Sequence, residues 1–151
     1  HIHDFVCGAE NHHGGQVVAV EISPRMSRGL ISLSESRPGM VPILGDARKS
    51  MVVAPFMRSK ADWIHQDLSI ADQAENFVKM AMTFLTPGGV GLLSLKAASE
   101  RSSEGDDNAR FHNAEIILKN SELSLLERIE LRGLEDQHVL FVCELSPRGD
   151  N

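Results

Sequence analysis

The sequence predicts an α/β fold: a mainly parallel sheet with helices on both faces and an antiparallel pair of strands at its C-terminal edge. Three observations carry that prediction. Short β-branched or apolar runs alternate with stretches of helical periodicity. Glycine, proline and small polar residues mark the joins. A charged residue stands at or just beyond the end of four successive runs, at Glu21, Asp46, Asp67 and Lys96.

Val17 to Glu21 (VVAVE) is β-branched, follows Gly14-Gly15 and precedes Ser23-Pro24, as a strand bounded by turns would. Ser23 can cap a helix with Pro24 in its first position, and that helix runs to about Ser36, ahead of Pro38-Gly39. Met40 to Leu44 (MVPIL) is a second strand that closes on Gly45-Asp46. A looser helical stretch from about Lys49 to Arg58 leads to a third strand, Ala61 to His65, which ends at Gln66-Asp67. Between Ala71 and Leu85, the residues Ala74, Phe77, Val78, Ala81, Met82 and Leu85 recur at helical spacing, and Thr86-Pro87-Gly88-Gly89 stops that helix. Val90 to Leu95 is almost continuously apolar, the pattern of a strand covered on both faces. Ala98 to Asn108 (ASERSSEGDDN) has the composition of an exposed, mobile loop. A helix over about Ala109 to Asn120 then precedes Leu123 to Leu131 and Val139 to Glu144, two segments able to pair antiparallel. Residues 1–145 thus read as one domain, and 146–151 as a flexible tail.

Composition narrows the function. With 151 residues and 42% apolar content the chain can bury one core, so a single domain is expected. A formal charge of −6 argues against holding RNA by bulk electrostatics, which calls for a basic face. If RNA is the substrate, another component brings it. Cys7 and Cys143 lie far apart without metal-ligand spacing, which fits buried thiols in a reducing, cytosolic-type setting. No stretch approaches the roughly 18 to 20 apolar residues that span a bilayer. The chain opens His1-Ile2-His3 and passes directly into patterned sequence, which suggests that a further segment precedes it.

In parallel sheets ligands bind beyond the carboxyl ends of the strands, so the four strand-end charges are the first candidates for a site. Glu21 is placed to accept both ribose hydroxyls of an adenosine-containing cofactor. Asp46 can accept from an adenine amino group while Ala47 donates its backbone N–H, although an aspartate there serves equally as a helix cap. Asp67 and Lys96 would end neighbouring strands and could meet over a substrate; a partly buried salt bridge explains them equally well. His138, at the entrance to the last strand, can share the rim with Lys96 or be a turn histidine. His1, His3, His12 and His13 form no recognisable metal pattern and read as solvated or loop residues. Arg25, Arg28 and Arg37 read as solvated, with phosphate or a partner as the other possibility.

At these residues the chain resembles the fibrillarin family. The similarity runs through Ala19-Val20-Glu21-Ile22-Ser23-Pro24-Arg25, Arg37-Pro38, Pro42-Ile43-Leu44-Gly45-Asp46-Ala47-Arg48, Gln66-Asp67, Asp72-Gln73, Phe84-Leu85, Gly88-Gly89, Leu95-Lys96-Ala97 and Asp136-Gln137-His138. It covers nearly the whole chain in order, and the Ser-Pro-Arg form is the archaeal one. The resemblance implies a class I, Rossmann-like methyltransferase fold using S-adenosylmethionine to methylate ribose 2′-hydroxyls of rRNA or tRNA, guided by box C/D small RNA. It implies a Nop-type scaffold protein and a kink-turn-binding ribosomal-type protein as partners. The location would be cytoplasmic in an archaeon and nucleolar in a eukaryote. Carried over by position, Glu21, Ile22 and Asp46-Ala47 hold the adenosine, Asp67 lies near the methionine moiety and the reacting hydroxyl, and Lys96 and His138 complete the catalytic group. No metal is implied.

The chain departs from the family pattern in three places. After the aspartate the family continues Val-Ala-Gln-Pro, whereas this chain has Leu68-Ser69-Ile70-Ala71. The family's first strand and glycine loop have no counterpart, since His1 to Val6 resembles the helix that follows that loop; the strand would lie between those of Glu21 and Asp67, and its absence would expose two edges. An upstream lysine of the catalytic group is also missing. These departures keep open a non-catalytic assembly subunit that binds the Nop-type scaffold, and, as a third reading, a methyltransferase for another acceptor.

Overall fold

The computed structural model describes residues 1–100, 104–131, 133–135 and 137–146. The chain divides into two compact units, His1–Ser59 and Lys60–Asn151.

The first unit opens with helix α1 (Ile2–Cys7), followed by a 3-10 turn over Ala9–Asn11. Strand β1 (Val17–Glu21) and strand β2 (Met40–Leu44) pair in parallel, with Glu21 opposite Leu44, and helix α2 (Pro24–Ser34) makes the crossover between them. Local sequence starts α2 as expected: the Ser23 hydroxyl accepts from the Met26 N–H at 3.4 Å, and Pro24 occupies the first turn, where its missing N–H costs nothing. Gly39, at φ +90°, is needed at the turn into β2, because a Cβ there would meet the Gly15 carbonyl oxygen at 2.7 Å. The stretch read as one loose helix is a short α3 (Ser50–Val53) continued by a 3-10 turn, Ala54–Phe56, where Pro55 cannot donate to an α-helical ladder. His3 departs from the expected exposure. It is buried, with Nε2 2.9 Å from the Pro38 carbonyl, while Arg37 pairs with Asp4 of α1 instead of lying solvated.

The second unit holds a four-stranded sheet in the order β3–β4–β6–β5. Strand β3 (Ala61–Gln66) runs parallel to β4 (Leu85–Lys96). Strand β6 (His138–Leu145) lies antiparallel between β4 and β5 (Leu123–Glu130). The expected antiparallel pair is therefore present, with the last strand inserted beside β4. Helix α4 (Gln73–Phe84) and helix α5 (Asp107–Lys119) cover the face that carries Leu93 and Leu95 of β4, Ala97 just beyond its end, and Val139, Phe141 and Cys143 of β6, all fully buried. Each such leucine contributes roughly 1.5–3 kcal/mol by leaving water. Within β4 burial alternates, so the other face, with Leu92, Ser94 and Lys96, is half-buried; continuous apolarity suggested two equally covered faces. Both cysteines are buried and free, and burial pushes the Cys143 thiol up to about 12.

Thr86 to Gly89 does not separate helix from strand. The chain enters β4 directly at Leu85, paired with Ala61, and the register then shifts before Trp63 meets Val90. Gly88 sits at φ +79° in that irregularity, and a Cβ on Gly89 would meet the Thr86 carbonyl oxygen at 2.9 Å. Glu100, within the stretch expected to be exposed and mobile, is buried, and Asp106 caps α5 by accepting from the Ala109 N–H at 2.9 Å. Residues 101–103 of that stretch, Asp136, and residues 147–151 of the expected tail lie outside the described residues.

Packing between α4 and β4 is tight enough to be tested. A Cβ on Gly91 would lie 2.6 Å from Cζ of the fully buried Phe77. Gly91→Ala is expected to destabilise the protein by about 1–3 kcal/mol, read from urea unfolding, because the ring has no space to yield.

Candidate functional site

In the first unit the candidate residues gather at the carboxyl ends of β1 and β2. Glu21 and Leu44 are paired in register, and Gly45 N–H donates to the Glu21 carbonyl at 3.0 Å, fixing the turn that leads to Asp46. The Glu21 side chain accepts from the Ser23 N–H at 2.7 Å through Oε1, which leaves Oε2 without a partner among the described residues. Ile22 is exposed beside it. Asp46 is bonded by Arg48 through Nε, Nη2 and the backbone N–H, at 2.9, 2.8 and 3.0 Å. Those bonds, the side-chain ones first, hold its carboxyl down at about 2. Asp46 is thus a fixed anion, with acceptor capacity remaining on Oδ2. Ala47 N–H has no partner among the described residues. One open carboxylate oxygen, an exposed apolar side chain and a free N–H beside an anion suit an adenosine: hydroxyls to donate, a ring to cover, and a base edge that both donates and accepts.

In the second unit Asp67 follows the last residue of β3, and Lys96 ends the adjacent β4. Lys96 lies directly opposite His138. Ala97 N–H donates to the Gln137 carbonyl at 2.9 Å, so Lys96 and His138 form the closer, non-hydrogen-bonded kind of cross-strand pair, with both side chains on the same face. His138 Nδ1 is 3.5 Å from the Glu135 carboxylate. Asp67 and Lys96 make no ion pair with each other, and neither has another side-chain partner among the described residues. The salt-bridge alternative for this pair is therefore not what the structure shows. An exposed carboxylate, an uncommitted ammonium and an imidazole at the ends of three adjoining strands can orient a hydroxyl and stabilise negative charge that develops on it. Among the described residues there is no group of three or more side chains able to hold a metal ion.

Sequence patterning did not pick out Gln73 or Glu100 as part of this arrangement. Both are buried, Gln73 completely. Gln73 Nε2 donates to the Lys96 carbonyl and its Oε1 accepts from the Lys96 N–H, each at 3.0 Å. Glu100 accepts from the Gln73 N–H at 3.0 Å and takes the place of an N-cap for α4, whose own cap residue, Asp72, makes no side-chain bond. A signal for Gln73 existed. It occupies the same helical stripe as Phe77, Met80 and Phe84, so a polar residue stands where the periodicity calls for an apolar one.

The depressed Asp46 carboxyl gives a prediction. An acid whose folded pKa lies below its unfolded one adds stability above the unfolded value, and that stability disappears as pH falls from about 4 to about 2. Carbon-detected NMR titration should place Asp46 near 2. Arg48→Ala should return it toward the ordinary carboxylate range near 3.9.

The Fibrillarin family model matches residues 1–147. The fibrillarin-like rRNA/tRNA 2′-O-methyltransferase of Methanocaldococcus jannaschii is 34% identical over 128 residues, which is 85% of this chain and 55% of that relative. Aeropyrum pernix fibrillarin, solved with natively bound S-adenosyl-L-methionine, superposes with a TM-score of 0.71 at 25% identity, over 85% of this chain and 55% of that one. A solved fibrillarin/Nop5p complex matches with a TM-score of 0.81 over 91% of this chain and 64% of that one; at 23% identity it speaks for the fold alone. The chain thus spans about half the length of the curated relative it matches. The α/β arrangement of mixed strands is that of class I methyltransferases, an O-methyltransferase of Bacillus cereus among the structures sharing it. A family match over nearly its whole length, joined to this fold and these strand ends, makes the chain a member of the fibrillarin family.

Proposed function

We propose that this chain carries out S-adenosylmethionine-dependent 2′-O-methylation of ribose in rRNA or tRNA, directed to its nucleotides by box C/D small RNA. The observation that carries the reading is the Lys96–His138 pairing, with Asp67 at the adjoining strand end, in a chain whose relative is named for this reaction. Bound S-adenosylmethionine supplies the electrophilic methyl group.

The protein's part is binding, alignment and charge. In the first unit Glu21 accepts from ribose hydroxyls, Ile22 covers the adenine, and Asp46 with the Ala47 N–H reads the base edge. In the second unit Asp67 lies near the methionine moiety and accepts the hydrogen bond of the attacking hydroxyl. A ribose hydroxyl is a weak nucleophile at neutral pH, so orienting it and relieving it of its proton are the steps to accelerate. The Lys96 ammonium stabilises the oxyanion that develops, and the energy of that interaction is not already taken up by an ion pair with Asp67. His138, beside Glu135, completes the charged rim next to Lys96.

The charge of −6 supports delegated targeting, with a Nop-type scaffold and a kink-turn-binding protein holding the guide RNA. Membership of the fibrillarin family supports the scaffold, since a fibrillarin has been solved in complex with Nop5p. The test is calorimetric titration of S-adenosylmethionine into the 151-residue chain and into the complete gene product, with Asp46→Ala as the control. The expected result is binding by the complete product, weakened about tenfold or more by Asp46→Ala through loss of the polar contact to the base edge. A well-folded complete product that does not bind would instead support the non-catalytic assembly subunit.

A further inference from the structure

The main chain of Lys96 is held by a side chain. On one side β4 is paired with β6, but β3, its other neighbour, ends at Gln66 opposite Leu93, before reaching Lys96. The Lys96 N–H and carbonyl both point to that vacated side, and the Gln73 amide satisfies the two of them at 3.0 Å each. The amide thus does for one residue what a further strand would have done. The main chain of Gln73 is itself held at both its N–H and its carbonyl. Glu100 accepts from the Gln73 N–H, and Gln66 Nε2 donates to the Gln73 carbonyl at 2.8 Å. Asn76 then donates to Gln66 Oε1 at 2.8 Å. All four side chains belong to buried residues, where an unmade hydrogen bond costs most. The bonds join the last residue of β3, next to Asp67, with the first turn of α4 and the last residue of β4.

We infer that Gln73 is a positioning residue for the transfer reaction: its amide sets the backbone of Lys96 and so the spacing between the strand ends that carry Asp67 and Lys96. The inference rests on the reading of Lys96 as a participant in methyl transfer. Gln73 touches no substrate and acts through Lys96. Without its amide the Lys96 N–H and carbonyl lose both partners, and the end of β4 becomes free to shift on the scale that alignment-dependent reactions register.

The test uses the complete gene product in its guide-RNA particle. Gln73→Met keeps the length and removes both bonds; Gln73→Asn keeps an amide but withdraws it from Lys96, and serves if the first variant does not fold. Phe77→Leu, on the same helix and packed beneath Gly91, weakens α4 without touching Lys96, and Lys96→Met reports on the parent reading. With folding checked by thermal melts, the expected result is a fall in kcat of about 10- to 100-fold in the Gln73 variants. The KM for S-adenosylmethionine should stay within about twofold, and Phe77→Leu should keep its kcat despite a comparable loss of melting temperature. A kcat within about twofold of wild type in a folded Gln73 variant, or an equal fall in Phe77→Leu, overturns the inference while Lys96→Met is inactive. An active Lys96→Met instead removes the reading on which it rests.

Discussion

Strand β4 has to be paired along both edges and covered by helices on one face, and the second unit is arranged to meet that requirement. Leu93 and Leu95 are fully buried under α4 and α5, β3 lies parallel on one side, and β6 lies antiparallel on the other. Apolar burial of this kind sets which face each residue takes: Leu95 and Ala97 turn into the core, so Lys96 between them falls on the opposite, half-buried face. The antiparallel register with β6 then fixes which residue faces it, and that residue is His138. A slip of one position would send each side chain of β6 to the opposite face, moving Val139, Phe141 and Cys143 out of the core, so hydrophobic burial also protects the Lys96–His138 pairing.

Much of the fold was legible because each strand has a clear composition and a clear stop. The bounds of β1 and β2 are those read from VVAVE and MVPIL, and the Ser23-Pro24 start of α2 follows from capping chemistry. Local patterning could not show that β6 inserts between β4 and β5, since pairing is decided by tertiary burial. Thr86-Pro87-Gly88-Gly89 looked like a helix stop because its residues are turn formers. They form the register irregularity within β4, since Leu85 gains more from pairing with Ala61 and from full burial than from ending a loop. Sequence favours exposure for His3 as a loop histidine and for Glu100 through the composition of Ala98 to Asn108. Each is buried because a specific partner is present, the Pro38 carbonyl in one case and the Gln73 N–H in the other.

The candidate site shows the same division. Strand-end charges can be found from spacing, since a charge after an apolar run marks where the chain leaves the core. Whether Asp67 and Lys96 neutralise one another depends on side-chain geometry, which spacing does not contain; the structure keeps them apart. Asp46, in contrast, is committed to Arg48, two residues on, and that local pairing keeps it ionised. Each unit has its own electrostatic character: a fixed anion and an open N–H in the first, an uncommitted ammonium in the second. A formal charge of −6 fits the proposal that any RNA substrate is held by other molecules.

Methyl transfer to a ribose hydroxyl is the role proposed for Lys96 and its neighbours. Its most direct measurement is mass-spectrometric detection of the 2′-O-methylated nucleotide, after incubating the complete gene product with scaffold, kink-turn protein, guide RNA, target RNA and S-adenosylmethionine. Methylation at the guided nucleotide is expected from the wild-type protein, and at least about a hundredfold slower methylation from Lys96→Ala, as loss of a charge-stabilising group implies. Assembly of a complete particle that leaves the target unmethylated, or methylation by Lys96→Ala at the wild-type rate, would contradict that role.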